Sequence, residues 1–95
     1  MEPRTIRVLL VDDSETEYAL TKHLLSKARR TRYEVDWVAT FEQGLEAIEQ
    51  ARHDVYLLDH RLGKRTGLEL LREALGRGCT APLIILTGES CVLSR

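Results

Sequence analysis

No stretch of this chain is apolar for long enough to cross a bilayer as a helix. A span needs about 20 apolar residues, and the most apolar run, Ile6 to Val11, is far shorter and carries Arg7. No secretory leader pattern opens the sequence, so the expected compartment is the cytoplasm. Cysteine is scarce. Cys79 and Cys91 are too few and too far from the histidines to make a zinc pattern, and two reduced thiols are the expected state. An excess of positive charge is also missing. Fourteen Lys and Arg stand against 15 Asp and Glu, for a net charge of −1, whereas a nucleic-acid binder needs a surplus of phosphate-neutralising side chains. Glycines 44, 63, 67, 76, 78 and 88 form no phosphate-cradling loop after a strand, which leaves nucleotide binding without support.

What is present is a regular alternation. Strand patterns cover Ile6–Val11, Tyr33–Val38, Asp54–Asp59 and Leu83–Thr87, and helix patterns run from Ser14 to about Arg29, Thr40 to about Arg52 and Thr66 to about Leu75. Each helix opens on a candidate capping box, Ser14-x-x-Glu17, Thr40-x-x-Gln43 and Thr66-x-x-Glu69, in which hydroxyl and N3 side chain satisfy free backbone donors reciprocally. The basic run from Lys27 to Arg32 falls where the first helix is expected to end, a place its dipole favours for cations. The chain reads as one α/β domain over residues 1–95, with no repeat or linker.

Strands one, three and four are near-continuous apolar runs, as in a parallel sheet covered on both faces. The second alternates Tyr33, Val35 and Trp37 with Glu34 and Asp36, which suits an edge. Right-handed crossovers then give the doubly wound order 2-1-3-4. Strands one and three are neighbours at the point where the order reverses, and ligands of open α/β sheets bind at that switch point, beyond the carboxyl ends of the strands. Asp12 and Asp13 end strand one and Asp59 ends strand three. Trp37, on the edge strand, is expected to lie far from them and to report poorly on the site.

Three carboxylates brought together repel, and a Mg²⁺ ion, which prefers oxygen ligands, relieves that repulsion. Thr87 ends the fourth strand, where its hydroxyl is placed to donate to an oxyanion added at Asp59. A carboxylate nucleophile, a divalent cation and a hydroxyl donor together make an acyl-phosphate site.

Three segments, Val11-Asp12-Asp13, Leu58-Asp59 with Arg61-Leu62-Gly63 and Thr66-Gly67-Leu68-Glu69-Leu70-Leu71, and Pro82 to Gly88, resemble the receiver domain of bacterial two-component response regulators. The match runs from Ile6 to Gly88. The resemblance implies a flavodoxin-like receiver fold, with Asp59 as phosphoacceptor and Asp13 and Asp59 as direct Mg²⁺ ligands. Asp12 would lie near the ion, the Arg61 backbone carbonyl would be a further ligand, and Thr87 would contact the phosphoryl group. It implies a sensor histidine kinase or phosphotransfer protein as partner, and a phosphoacceptor rather than an enzyme.

Gly63 stands where many receivers carry Pro. Receivers also carry a Lys at the end of a fifth strand. The βα units here begin near residues 6, 34, 54 and 83, a mean spacing of about 26, which puts a fifth near residue 109. The expectation is therefore a sheet whose fifth strand and last helix are missing, with residues 89–95 starting a fourth helix. The fourth strand would then be an open apolar edge, prone to self-association. Lys64, on the loop after Asp59, is expected to be a solvated charge, and His60 a passive loop residue. His23 and His53 receive no role. An alternative from another class is an unphosphorylated pseudo-receiver that only binds a partner protein. A hydrolase of the aspartate-nucleophile type is disfavoured, because such enzymes carry Asp-x-Asp where the acids here are adjacent.

Overall fold

A computed structural model describes residues 4–86 and, for the backbone alone, 91–94. Its elements are β1 (Arg4–Val11), α1 (Glu15–Ser26), β2 (Thr31–Val38), α2 (Phe41–Gln50), β3 (Val55–Asp59), β4 (Arg61–Leu62), β5 (Arg65–Thr66), α3 (Gly67–Gly76), β6 (Leu83–Leu86) and β7 (Cys91–Ser94). The main sheet has the order β2-β1-β3-β6-β7. Its first four strands are parallel, so the expected 2-1-3-4 order holds.

Helix starts follow their caps. All three expected hydroxyls accept from the N3 backbone amide, but only Thr66 and Glu69 close the full reciprocal box. At α2, Gln43 reaches one residue further back, to the Ala39 amide, at 3.3 Å. Helix α1 stops at Ser26 rather than near Arg29. The Lys27 amide bonds back to the Leu24 carbonyl and the Ala28 amide to the Leu25 carbonyl, and β2 takes up the chain at Thr31. The basic run therefore bridges helix and strand.

The core lies on one face of the sheet. Leu9, Val11, Tyr56, Leu58, Leu83 and Ile85 point there, alternating along their strands, and meet Phe41 and Ile48 of α2 and Leu70, Leu71 and Ala74 of α3. Each large apolar side chain fully buried in this way contributes about 1.5–3 kcal/mol. The other face is thinner. Helix α1 buries none of its residues, and Leu20 and Leu24 are 50% and 56% exposed. An open depression of about 660 Å³ there is lined by Leu25, Ile6, Val8, Leu57 and Ile84. The sheet face beside the first helix is thus partly bare.

The chain end differs from expectation. Residues 91–94 form a strand rather than the first turns of a helix. They run antiparallel along β6, pairing Leu86 with Cys91 and Leu83 with Ser94. Hydrogen bonding of β6 is thus completed within the chain, which is how an apolar edge with free N–H and C=O groups is removed. The fourth parallel strand is not an open edge, and self-association through it loses its premise.

A second feature not foreseen is the small hairpin β4–β5. It turns through Gly63 at φ +67 and pairs Arg61 with Thr66. A two-residue turn of this kind favours Gly at its first position, which accounts for Gly63 in place of Pro. The hairpin delivers Gly67 to the first turn of α3, where its amide donates to the His60 carbonyl at 3.0 Å. A Cβ at Gly67 would run into the carbonyl oxygen of Asp59. No rotamer change relieves a clash with backbone, so Gly67→Ala is expected to cost about 2–3 kcal/mol or more. A Cβ at Gly76 meets nothing within 4 Å, so Gly76→Ala is expected to be neutral or to stabilise by up to about 1 kcal/mol. Urea unfolding of the two variants should give these opposite outcomes, and a neutral Gly67→Ala would contradict the close approach.

Candidate functional site

Strand register builds the site. Val11 pairs with Val38 on one side and with Leu58 on the other, and Asp59 pairs with Leu86. One residue beyond Val11 and Leu58, Asp12 and Asp59 come level across the β1–β3 gap. The structure brings together the three acids that the sequence singled out: Asp12, Asp13 and Asp59 each offer a carboxylate oxygen within 4.8 Å of the others. Their exposure is graded. Asp12 is 3% exposed, Asp59 is half-buried and Asp13 is on the surface.

Asp12 is held at three points. Its amide donates to the Val38 carbonyl at 3.1 Å, its carboxylate Oδ1 accepts from the Ser14 amide at 2.9 Å, and its carbonyl accepts from the Trp37 indole Nε1 at 2.7 Å. Burial pushes its carboxyl up from the ordinary 3.8 to about 6. The Ser14 hydrogen bond opposes the rise, and the charges of Asp59, Glu17 and Asp13 add to it. Closely packed oxygens with one carboxyl resisting ionisation are the donor set a hard cation satisfies, since a cation cancels the repulsion that raises the group. The residues fit Mg²⁺.

Among the other residues singled out, Arg61 is exposed and opens β4, two positions past Asp59. Thr87 lies outside the described residues, so the pairing of Asp59 with Leu86 fixes only the position that precedes it. The half-exposed His60 ring puts Nδ1 3.8 Å from Asp59 Oδ1, beyond hydrogen-bonding distance. His53 is instead a half-buried structural residue far from the acids, its Nε2 2.7 Å from Asp36 Oδ2.

Trp37 was missed. It is on the edge strand as expected, but it touches the site directly. The expected strand order already placed the end of strand two beside the end of strand one. An indole aligned with Leu10 reaches two residues further along the neighbouring strand than its own Cα position suggests.

The chain matches the family model described as response regulator receiver domain over residues 8–92. It is similar to the two-component response regulator PhoP of Pseudomonas aeruginosa, 32% identical over 82 residues that cover 86% of this chain and 35% of that protein. It is also similar to the transcriptional regulatory protein DltR of Streptococcus agalactiae, 34% identical over 85 residues that cover 90% of this chain and 37% of that protein. The chain thus spans about a third of the length of these curated relatives. Among solved structures it resembles the non-phosphorylated HemR receiver domain of Leptospira biflexa, with a TM-score of 0.71 and 26% identity, covering 93% of this chain and 66% of that one. Among the described residues, no helix is long and apolar enough to cross a membrane.

Proposed function

The chain belongs to the response regulator receiver domain family of two-component signalling, and on that premise we propose that it accepts a phosphoryl group on Asp59 from a phosphohistidine. The observation that carries this is the convergence of Asp12, Asp13 and Asp59 on one point at the strand ends. The donor would be a sensor histidine kinase or a phosphotransfer protein, met in the cytoplasm.

Mg²⁺ is the cation proposed for the site, with Asp13, Asp59 and the Arg61 backbone carbonyl as ligands and Asp12 beside it. When bound it supplies charge neutralisation for the phosphoryl oxygens. The remaining chemistry belongs to this chain. A carboxylate oxygen of Asp59 attacks phosphorus, forming a P–O bond as the P–N bond to the donor imidazole breaks. The electron pair of that bond leaves on the imidazole nitrogen, which then takes up a proton. Asp59 suits the role because it is half-buried and reachable, whereas Asp12 is enclosed and resists ionisation. The Thr87 hydroxyl is proposed to donate to a phosphoryl oxygen. On this reading the domain is a phosphoacceptor, and its only turnover is slow hydrolysis of its own acyl phosphate.

Incubation with a small phosphodonor and Mg²⁺ tests the proposal. A covalent phosphoryl adduct should form, map to Asp59 by peptide mass and be removed by hydroxylamine, as an acyl phosphate is. No adduct, or an adduct elsewhere, would contradict it and leave partner binding without phosphorylation as the function.

A further inference from the structure

We infer that Trp37 is a positioning residue of the carboxylate site, holding by its indole N–H the peptide group from which both Asp12 and Asp13 hang. The inference rests on the Mg²⁺ reading above and deepens it.

The carbonyl that Trp37 Nε1 bonds at 2.7 Å belongs to the peptide joining Asp12 to Asp13. Rotation of that peptide plane would swing the Asp13 carboxylate relative to Asp12 and Asp59. Two of the other constraints on this segment act elsewhere: the Val38 carbonyl holds the Asp12 amide and the Ser14 amide holds the Asp12 carboxylate. The carbonyl between the two acids is fixed by the indole.

The indole is itself braced. Tyr18 of α1 stacks on it with ring centroids 5.2 Å apart and planes 9° from parallel, an offset arrangement that aromatic pairs favour. Helix α1 starts directly after the acids, at Glu15, with Ser14 as its N-cap. The stack therefore ties the start of this helix to the end of β2, and the acids sit between them. A site that must hold its oxygens to within about 0.5 Å depends on such supporting contacts, and the partners that orient metal ligands tune affinity as the ligands do.

A packing role alone makes a different prediction from a positioning role. Trp37→Phe keeps an aromatic ring against Tyr18 but has no N–H. The expected result is a folded domain whose Mg²⁺ dissociation constant, read from amide chemical shifts of Asp13 and Asp59, rises about three- to tenfold, the range of one net hydrogen bond. Tyr18→Leu, which keeps the indole bond, should change that constant less than Trp37→Phe does. If Trp37→Phe does not fold, the unaltered protein still decides. Trp37 is the sole tryptophan, and its Nε1–H resonance should shift on Mg²⁺ titration with the same midpoint as the Asp13 and Asp59 amides. An unchanged dissociation constant in Trp37→Phe, or an indole resonance that stays still while the acid amides move, overturns the positioning role and leaves the metal site standing. Acid amides that do not respond in the unaltered protein overturn both.

Discussion

Asp59→Asn is expected to abolish covalent phosphorylation and to weaken Mg²⁺ binding by at least about 10–100-fold. The change alters one atom in shape and removes two functions. The amide oxygen of Asn carries no full charge and is not a nucleophile for phosphorus, so no acyl phosphate forms. A metal site loses about 10–100-fold when even an outer partner of a ligand is removed, and Asp59 is proposed as a ligand. The fold should survive, because Asp59 is half-buried and the residues that pack α3 against its strand are apolar. Asp59 is also one of the charges that raise Asp12, so the Asn variant should hold Asp12 nearer its ordinary range. The checks are a phosphodonor assay read by intact mass and a Mg²⁺ titration read by amide shifts. Phosphorylation that persists in Asp59→Asn would place the acceptor on another residue.

The second large effect is on stability and depends on pH. The folded-state pKa of Asp12 is raised, from 3.8 to about 6, so the folded protein binds the Asp12 proton more tightly than the unfolded chain does. The stability that this protonation contributes is fully present below about pH 3.8 and is lost as pH rises through about 6. Above that pH the ionised Asp12 costs the metal-free protein roughly 3 kcal/mol. Asn keeps the Oδ1 that accepts from Ser14 and has no charge to desolvate. In the presence of a chelator at pH 7 to 8, Asp12→Asn should therefore be more stable than the unaltered protein by about 2–3 kcal/mol, a rise of roughly 10 °C or more in Tm for a domain this small. The gain should shrink as pH falls through 6 and vanish below about pH 3.8, where the carboxyl is neutral in both states. Saturating Mg²⁺ should stabilise the unaltered protein more than the variant, because ligand binding to the folded state adds to its stability. A gain that is constant from pH 4 to 8, or absent at pH 7, would show that Asp12 is not the strained group.

Most of the positions that carry these effects are legible in the sequence, for physical reasons. Asp12, Asp13 and Asp59 end apolar runs, and a parallel sheet places strand ends side by side whatever its loops do. The capping hydroxyls of Ser14, Thr40 and Thr66 mark helix starts because their chemistry is local. What the sequence hides is non-local or depends on reach. Trp37 lies on the edge strand, but its side chain extends along β1 far enough to bond the Asp12 carbonyl, which residue spacing does not show. The hairpin β4–β5 is too short for a periodic signal, and only Gly63 hints at it. The return of residues 91–94 along β6 was hidden because so short a segment fits the first turn of a helix as readily as a strand. Which one forms is decided by the hydrogen bonds that β6 offers.

The central claim is that the three acids form one Mg²⁺ site at the carboxyl ends of β1 and β3. A Mg²⁺ titration followed residue by residue by amide chemical shifts tests it most directly. Asp12, Asp13 and Asp59 should move together with a single saturating midpoint, while His53 and Cys79 at the opposite end of the sheet stay in place. Acid amides that remain still at several tens of millimolar Mg²⁺ would contradict the account.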